Sequence, residues 1–203
     1  MSEKLEIIIL AAGSSSRLGQ AKQLVTLNGE SLLSRQCKIA KQMSEHVSCV
    51  VGFQAQEMIN QIDDANIKVV VNDHWQAGLA SSIAKGVSEL DEDTDAVMLM
   101  LVDQWQLEVK HFLRIKNLWL KNPEHIISAG QCSHDKKLTS PPVIFPAYCF
   151  SLLSQLHSGS GAKSVIKHFH HQLISEIMPE AFVDLDVPEQ LQKLKDNEMS
   201  QKF

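Results

Sequence analysis

Arg17 and Lys22 close a small polar loop, Gly13-Ser14-Ser15-Ser16-Arg17-Leu18-Gly19-Gln20-Ala21-Lys22, which follows the apolar run Ile7-Ile8-Ile9-Leu10-Ala11-Ala12. A buried strand that delivers a flexible backbone and then two cations suits a triphosphate. Backbone N–H groups in a Gly/Ser loop can ring phosphate oxygens, and the cations neutralise their charge. The spacing is not that of the two best-known phosphate loops. Gly19 is not followed directly by Lys, as GxxxxGK requires, and Ser15 stands where GxGxxG needs its second glycine. The residues therefore point to a phosphate-binding turn of another kind, with a strand-turn bearing surface cations as the plainer alternative.

Carboxylates supply the opposite charge. Asp103 directly follows Met98-Leu99-Met100-Leu101-Val102, at the mouth of what reads as a buried strand. Mg2+ takes one or two carboxylates plus substrate phosphates, so this position is useful for it; a turn or helix-cap Asp is an equally common reading. A second acidic stretch is Val183-Asp184-Leu185-Asp186-Val187-Pro188-Glu189. In a strand Asp184 and Asp186 share a face, where they repel unless a cation or donor relieves them. The plainer alternative is a solvated edge with Asp186 capping the next helix. His168, His170 and His171 have no carboxylate spacing beside them, and neighbours on a helix point apart, so packing or surface roles are expected.

The elements that must position these residues are legible from periodicity. Leu5 to Ala11 has no polar alternation, as in a strand buried on both faces. Ser31 caps a predicted helix through Met43, with Leu32, Leu33, Gln36, Ile39 and Ala40 at helical spacing. Strands follow at Val47–Val51, Ile67–Val71 and Ala96–Val102, and helices at Gln54–Ile62 and Leu79–Leu90. That rhythm predicts right-handed crossovers and a mainly parallel sheet. Ligands in such sheets bind at the carboxyl ends of strands, where Gly13 to Lys22, Asn72 and Asp103 all fall. The second half predicts helices at Val109–Leu120, Tyr148–Leu156 and Ala162–His170, and a last one opening at Pro188. Strands are expected at Ile126–Ala129, Pro142–Phe145, Ile174–Met178 and Phe182–Leu185. Gln131 to Thr139 reads as a polar loop, and the tail from Asp196 as frayed.

At 203 residues with 44% apolar content the chain is expected to form one domain over 1–203. A net charge of −5 argues against a duplex nucleic acid partner, so anion binding has to be local. Cys37, Cys49, Cys132 and Cys149 are widely spaced, which suggests neither a zinc site nor a disulfide framework. No secretory signal or membrane-length apolar run is present, and the expected location is the cytoplasm.

The run Leu10-Ala11-Ala12-Gly13-Ser14-Ser15-Ser16-Arg17-Leu18-Gly19-Gln20-Ala21-Lys22 resembles the LAAGxSxRxGxxK signature of the MobA-like nucleotidyltransferases, most of all the molybdenum cofactor cytidylyltransferases. Asn72, Trp75, Gly78, Ser82, Ile83 and Gly86 are similar to that family's NxxWxxGxxxSL segment. Asp103-Gln104-Trp105 is similar to its DQP or DMP tripeptide, with Trp in place of Pro. Asp184 to Glu189 is similar to DxDTPED, with Val187 for Thr and Gln190 for the final Asp. Ser140-Pro141-Pro142-Val143-Ile144-Phe145 is similar to GxPVLF, with Ser140 for Gly. Ser158 to Lys163 is similar to GDxGAR, without the acidic residue and with Lys163 for Arg.

The resemblance spans Glu6 to Leu194. It implies an α/β fold, a three-layer Rossmann-like mainly parallel sheet with helices on both faces, of the nucleotide-diphospho-sugar transferase type. It implies transfer of a nucleoside monophosphate from an NTP to a phosphate acceptor, with pyrophosphate released. Nucleotide contacts are implied for Leu10, Ala11, Ala12, Gly13, Ser14, Ser15, Ser16, Arg17, Gly19, Lys22, Asn72, Gly78, Ser81 and Ser82. Arg17, Lys22 and Asp103 carry the chemistry in this reading. Mg2+ is the implied cofactor, held by Asp103 and Asp184, with Asp186 as cap or support. The Ala11-Ala12-Gly13 form favours CTP, since guanylyl enzymes tend to carry Ala-Gly-Gly. The implied acceptor is the molybdopterin of the molybdenum cofactor, with a molybdoenzyme as a possible onward partner. GTP transfer to the same cofactor is the nearest alternative, and a sugar- or polyol-phosphate nucleotidyltransferase is next. A non-catalytic cofactor carrier is a reading of another class, disfavoured because a carrier has no need of Arg17, Lys22, Asp103 and Asp184 together.

Overall fold

A computed structural model describes residues 3–133, 136–157, 159, 161–185 and 189–192. In chain order it contains β1 (Leu5–Leu10), a small hairpin of β2 (Thr26–Leu27) and β3 (Glu30–Ser31), α1 (Leu32–Met43), β4 (Val47–Val51), α2 (Ala55–Ile59) and β5 (Ile67–Val71). Then come α3 (Leu79–Val87), β6 (Ala96–Leu101), α4 (Val109–Lys121), β7 (Ile126–Ser133), β8 (Lys136–Pro146), α5 (Phe150–Ser154), α6 (Ala162–His168) and β9 (Leu173–Ile177). Ser31 begins α1 as expected: its Oγ accepts from the Ser34 N–H at 3.1 Å.

The main sheet runs β5-β4-β1-β6-β8-β7-β9. Its pairings are parallel except those of β8, which runs against both β6 and β7. From β1 the chain winds outward to β4 and β5, then crosses back to lay β6 on the other side of β1. The carboxyl ends of β1 and β6 therefore flank the point where the winding reverses, the usual place for a crevice in such a sheet.

Every residue of β1 is buried, and the strand's two-residue period divides them between two layers. Ile7 and Ile9 join Leu33, Cys37 and Ala40 of α1 and Phe112, Ile115 and Trp119 of α4. Ile8 and Leu10 join Ile83 and Val87 of α3, Leu153 of α5 and Val165 and Ile166 of α6. Helices thus cover both faces, which is why the strand carries no polar alternation. Within the described residues no helix is long and apolar enough to cross a membrane.

Two expectations for the second half are corrected. The polar stretch Gln131 to Thr139 is not a loop. It extends β7 and β8 into an antiparallel arm, with Gln131 opposite Leu138 and Gly130 opposite Thr139. An antiparallel ladder satisfies its own backbone groups and can leave side chains in water, so polar composition does not exclude it. Nor is Phe182–Leu185 a strand. Pro179, with its fixed φ and no N–H, starts a 3-10 turn over Pro179–Phe182, and residues 183–185 have no regular structure. The same-face argument for Asp184 and Asp186 accordingly lapses. Helix α2 is also shorter than the predicted Gln54–Ile62. Asp186, Pro188, Ser158, Ser160 and the tail from position 196 lie outside the described residues, while 189–192 are helical.

Close approach of α3 to the sheet requires glycine at one point. A Cβ on Gly86 would lie 2.9 Å from Ile8 Cγ2 and 3.0 Å from Val50 Cγ2, both on buried β-branched side chains. Alanine gains up to ~1 kcal/mol of helix propensity over glycine, whereas overpacking a well-filled core costs about 1–3 kcal/mol. Because β-branched side chains are stiff at χ1, the clash is expected to win. Gly86→Ala should lower the urea midpoint; a raised midpoint would show that α3 can lift from the sheet without loss.

Candidate active site

At the carboxyl end of β1 the chain leaves the sheet and loops over it. The loop is pinned from below by Gln23, 1% exposed, whose Nε2 donates to the Ala11 carbonyl at 2.8 Å and to the Gly13 carbonyl at 2.7 Å. Phe53 N–H, just past β4, donates to the Ala12 carbonyl at 3.0 Å. Ser15 takes a left-handed φ of +53°, and its Oγ accepts from the Lys22 N–H at 3.2 Å. Serine thus adopts at position 15 a backbone conformation that usually falls to glycine, so the missing glycine does not prevent the turn.

The loop ends by sending Lys22 back to the next strand. Its ammonium is ion-paired with the Asp103 carboxylate, which sits just beyond β6 and is 6% exposed. Burial would be costly for either charge alone and is tolerated here because the two meet. Asp103, Lys22 and Asp184 line one cavity of about 370 Å3, together with Gly13, Ser15, Gln23 and Trp75. Asp184 reaches it from the irregular segment after Phe182. Among the described residues no group of three or more His, Cys, Asp or Glu side chains gathers to hold a metal. Any cation bound between these two carboxylates would complete its coordination with oxygens from a ligand or water.

The opposite wall is the start of α3. Gly78, at φ +93°, Leu79 and Ser82 line the cavity, and among the described residues no side chain caps the helix. The Ser81 N–H turns back to the Gly78 carbonyl at 3.1 Å, and the helix dipole adds partial positive charge at this end. Asn72, 3% exposed, folds this wall into shape: its Nδ2 donates to Ser81 Oγ and Ser82 Oγ, each at 3.0 Å, and its Oδ1 accepts from the His74 N–H. Ser81 Oγ donates to the Gly78 carbonyl at 2.8 Å. Trp75 stands edge-on to Phe53, with ring centroids 5.3 Å apart, and its fit requires glycine at position 52. A Cβ there would lie 2.6 Å from Trp75 Cβ.

Of the residues expected to touch nucleotide, Leu10, Ala12, Gly13, Ser15, Lys22, Gly78 and Ser82 line the cavity. Ala11, Ser14, Ser16, Arg17, Gly19, Asn72 and Ser81 do not: Arg17 is exposed on the loop, and Asn72 and Ser81 act on neighbouring backbone. A second cavity of about 330 Å3 adjoins the first and shares Leu10, Leu79, Leu101 and Asp184 with it. Ser140, Pro141 and Lys163 lie on its far side.

Comparison with known proteins places this arrangement. The chain matches the MobA-like NTP transferase domain over residues 7–174. It belongs to the MobA-like NTP transferase family. Among relatives in the family, it is 28% identical over 194 residues to a probable molybdenum cofactor guanylyltransferase of Nostoc, covering 92% of this chain and 88% of that one. It is 23% identical over 186 residues to the molybdenum cofactor cytidylyltransferase of Escherichia coli, covering 91% and 92%. A solved nucleotidyl transferase from Methanothermobacter thermautotroptrophicus superposes with a TM-score of 0.76 at 16% identity, over 98% of this chain and 100% of that one. The last likeness shows the fold, that of nucleotide-diphospho-sugar transferases, and the family assignment makes the chain a nucleotidyltransferase.

Two buried amides beside the cavity take no site role from sequence, although Gln104 belongs to the Asp103-Gln104-Trp105 tripeptide. Gln23 holds the loop, as described. Gln104, 0% exposed, donates through Nε2 to the Pro141 carbonyl at 2.6 Å and the Ala181 carbonyl at 2.7 Å. A glutamine beside a charged motif looks like any surface residue, and only its position next to Lys22 or Asp103 marked it. Trp105, in the place of the proline of the DQP tripeptide that the sequence resembles, turns away from the cavity into the core with Leu107. The Leu107 carbonyl accepts from Arg35 Nη2 at 2.6 Å.

Gly13 offers a test of the loop. A Cβ added there would meet nothing within 4 Å, and its φ lies outside the left-handed region. Gly13→Ala should therefore leave the urea midpoint unchanged within ~0.5 kcal/mol. Its methyl would occupy space that a phosphate needs, so NTP affinity is expected to fall about tenfold, a loss of ~1.4 kcal/mol. Unchanged affinity by titration calorimetry would move the phosphates away from this backbone.

Proposed function

We propose that this chain transfers CMP from CTP to a phosphate of a molybdopterin-type acceptor, the molybdenum cofactor, and releases pyrophosphate. The observation that carries the reading is the Lys22–Asp103 pair beside the Gly13 loop, with Asp184 on the same cavity. A loop that receives anions faces carboxylates that can receive a cation, as a metal–triphosphate complex requires.

The steps follow from charge. The Gly13–Gly19 backbone and the first turn of α3 hold the triphosphate, and exposed Arg17 closes over the β- and γ-phosphates, where a guanidinium can bond in bidentate fashion. Asp103 and Asp184 offer only hard oxygen donors, a set that fits Mg2+ completed by phosphates and water. When bound, Mg2+ would neutralise phosphate charge and polarise the reacting phosphorus. Lys22 then leaves Asp103 for the α-phosphate and stabilises charge that develops there. A phosphate oxygen of the acceptor, already ionised near neutral pH, attacks that phosphorus, so no general base is required. The second cavity, continuous with the first through Asp184, is the place for the acceptor.

CTP is favoured by Ala12. Ala12 lines the cavity and is 3% exposed, its methyl packed so close to Gly52 that a Cβ on the glycine would lie 3.0 Å away. The glycine usual in guanylyl relatives would widen this wall for a purine.

Thermal shifts with CTP, GTP, ATP and UTP in Mg2+ test the donor. A ligand at 100 times its Kd stabilises by ~2.7 kcal/mol, and CTP should give the largest shift. A shift with GTP alone would reassign the base, and none with any nucleotide would overturn the reading. Lys22→Ala should lower turnover, followed as pyrophosphate release, by about 10²–10³, as loss of one preorganised charge-stabilising donor does. Normal turnover would remove Lys22 from the chemistry.

A further inference from the structure

Gln104 joins three parts of the site that are far apart in sequence. It follows Asp103 directly, and its side chain is completely buried. Its Nε2 is shared among the Pro141 carbonyl at 2.6 Å, the Ala181 carbonyl at 2.7 Å and Ser140 Oγ at 3.2 Å. Ser140 Oγ in turn donates to the Ala181 carbonyl at 3.0 Å. Ala181 lies one turn of chain before Asp184, and Ser140 and Pro141 form the far wall of the second cavity.

The acceptors are available for a local reason. Between Ser128 and Ala129 the β7–β8 register slips: Ser128 faces Val143, and Ala129 faces Ser140. Pro141 and Pro142 are thereby lifted out of the ladder, which two residues without N–H groups tolerate at a bulge. The Pro141 carbonyl turns to Gln104 instead. Segment 183–185 has no ladder of its own to fix it. This amide and Ser140 hold Ala181, just before that segment, to the end of β6, while Leu185 anchors the segment in the core. The amide's orientation follows from the same contacts, since flipping it would set Oε1 against two carbonyl oxygens.

We propose that Gln104 is a positioning residue that sets the spacing of Asp103 and Asp184, and that it couples the cation site to the acceptor wall. The inference rests on the reading of Asp103 and Asp184 as metal ligands given above. Glutamine suits the task because it supplies two donors to two carbonyls; a carboxylate would be repelled by both, and an apolar side chain would take its donor from both, leaving the Ala181 carbonyl with Ser140 Oγ.

The test uses the full chain and two probes. Mn2+ binding in the presence of CTP is followed by water-proton relaxation, and metal-free CTP binding is measured by calorimetry in EDTA. In Gln104→Leu, Mn2+ affinity is expected to fall 10–100-fold, the usual effect of removing a group that orients ligands. Metal-free CTP affinity should stay within about twofold, since the Gly13 loop is held separately by Gln23. Ser140→Ala should shift Mn2+ affinity in the same direction by less, and it serves where Gln104→Leu fails to fold. Unchanged Mn2+ affinity in a folded Gln104→Leu, or a parallel fall in metal-free CTP affinity, would overturn the positioning role while leaving the proposed function standing. A wild-type chain that binds neither Mn2+ nor CTP would overturn both.

Discussion

The Lys22–Asp103 ion pair is the constraint on which the site is built. The partners are 81 positions apart and meet because β1 and β6 are hydrogen-bonded neighbours, Leu10 beside Leu101. Parallel pairing brings the two carboxyl ends to the same edge, so the loop after one strand and the carboxylate after the other must face each other. Both side chains are largely withdrawn from solvent, where an unpaired charge is costly and a paired one is tolerated.

Two amides hold the pair's surroundings, one on each side. Gln23 holds the backbone from which the Gly13–Lys22 loop springs, and Gln104 holds the Pro141 and Ala181 carbonyls on the Asp103 side. Amides suit these places because they donate strongly yet add no charge to a region whose charge balance matters. The nearby glycines work by subtraction: Gly52 makes room for Trp75, and Gly86 lets α3 lie close enough to aim its uncapped end at the cavity.

Much of this was legible in advance, for identifiable reasons. β1 could be read because burial on both faces leaves an unbroken apolar run, and α1 because Ser31 precedes an apolar stripe. The β7–β8 arm could not: its polar composition resembles that of a loop, and what makes it a strand is a partner three to nine residues away. The segment around Asp184 was misread because alternation of apolar and acidic residues imitates a strand when no neighbour is there to pair with it. Asn72 and Ser81 were expected at the ligand and instead shape the backbone that meets it.

The sequence by itself determined the chemistry on offer. The Gly13–Lys22 loop, Asp103 and Asp184 stand out because the phosphate and metal binding proposed for them needs particular side chains at particular spacings along a continuous chain. The winding of the first half was determined in the same way, since hydrophobic period is a local property. Only the tertiary structure decided which of these groups share a cavity, that Lys22 rests on Asp103, and that Gln23 and Gln104 are structural members of the site. Those are contacts across tens of residues, and their geometry depends on strand order and register, which no local pattern carries.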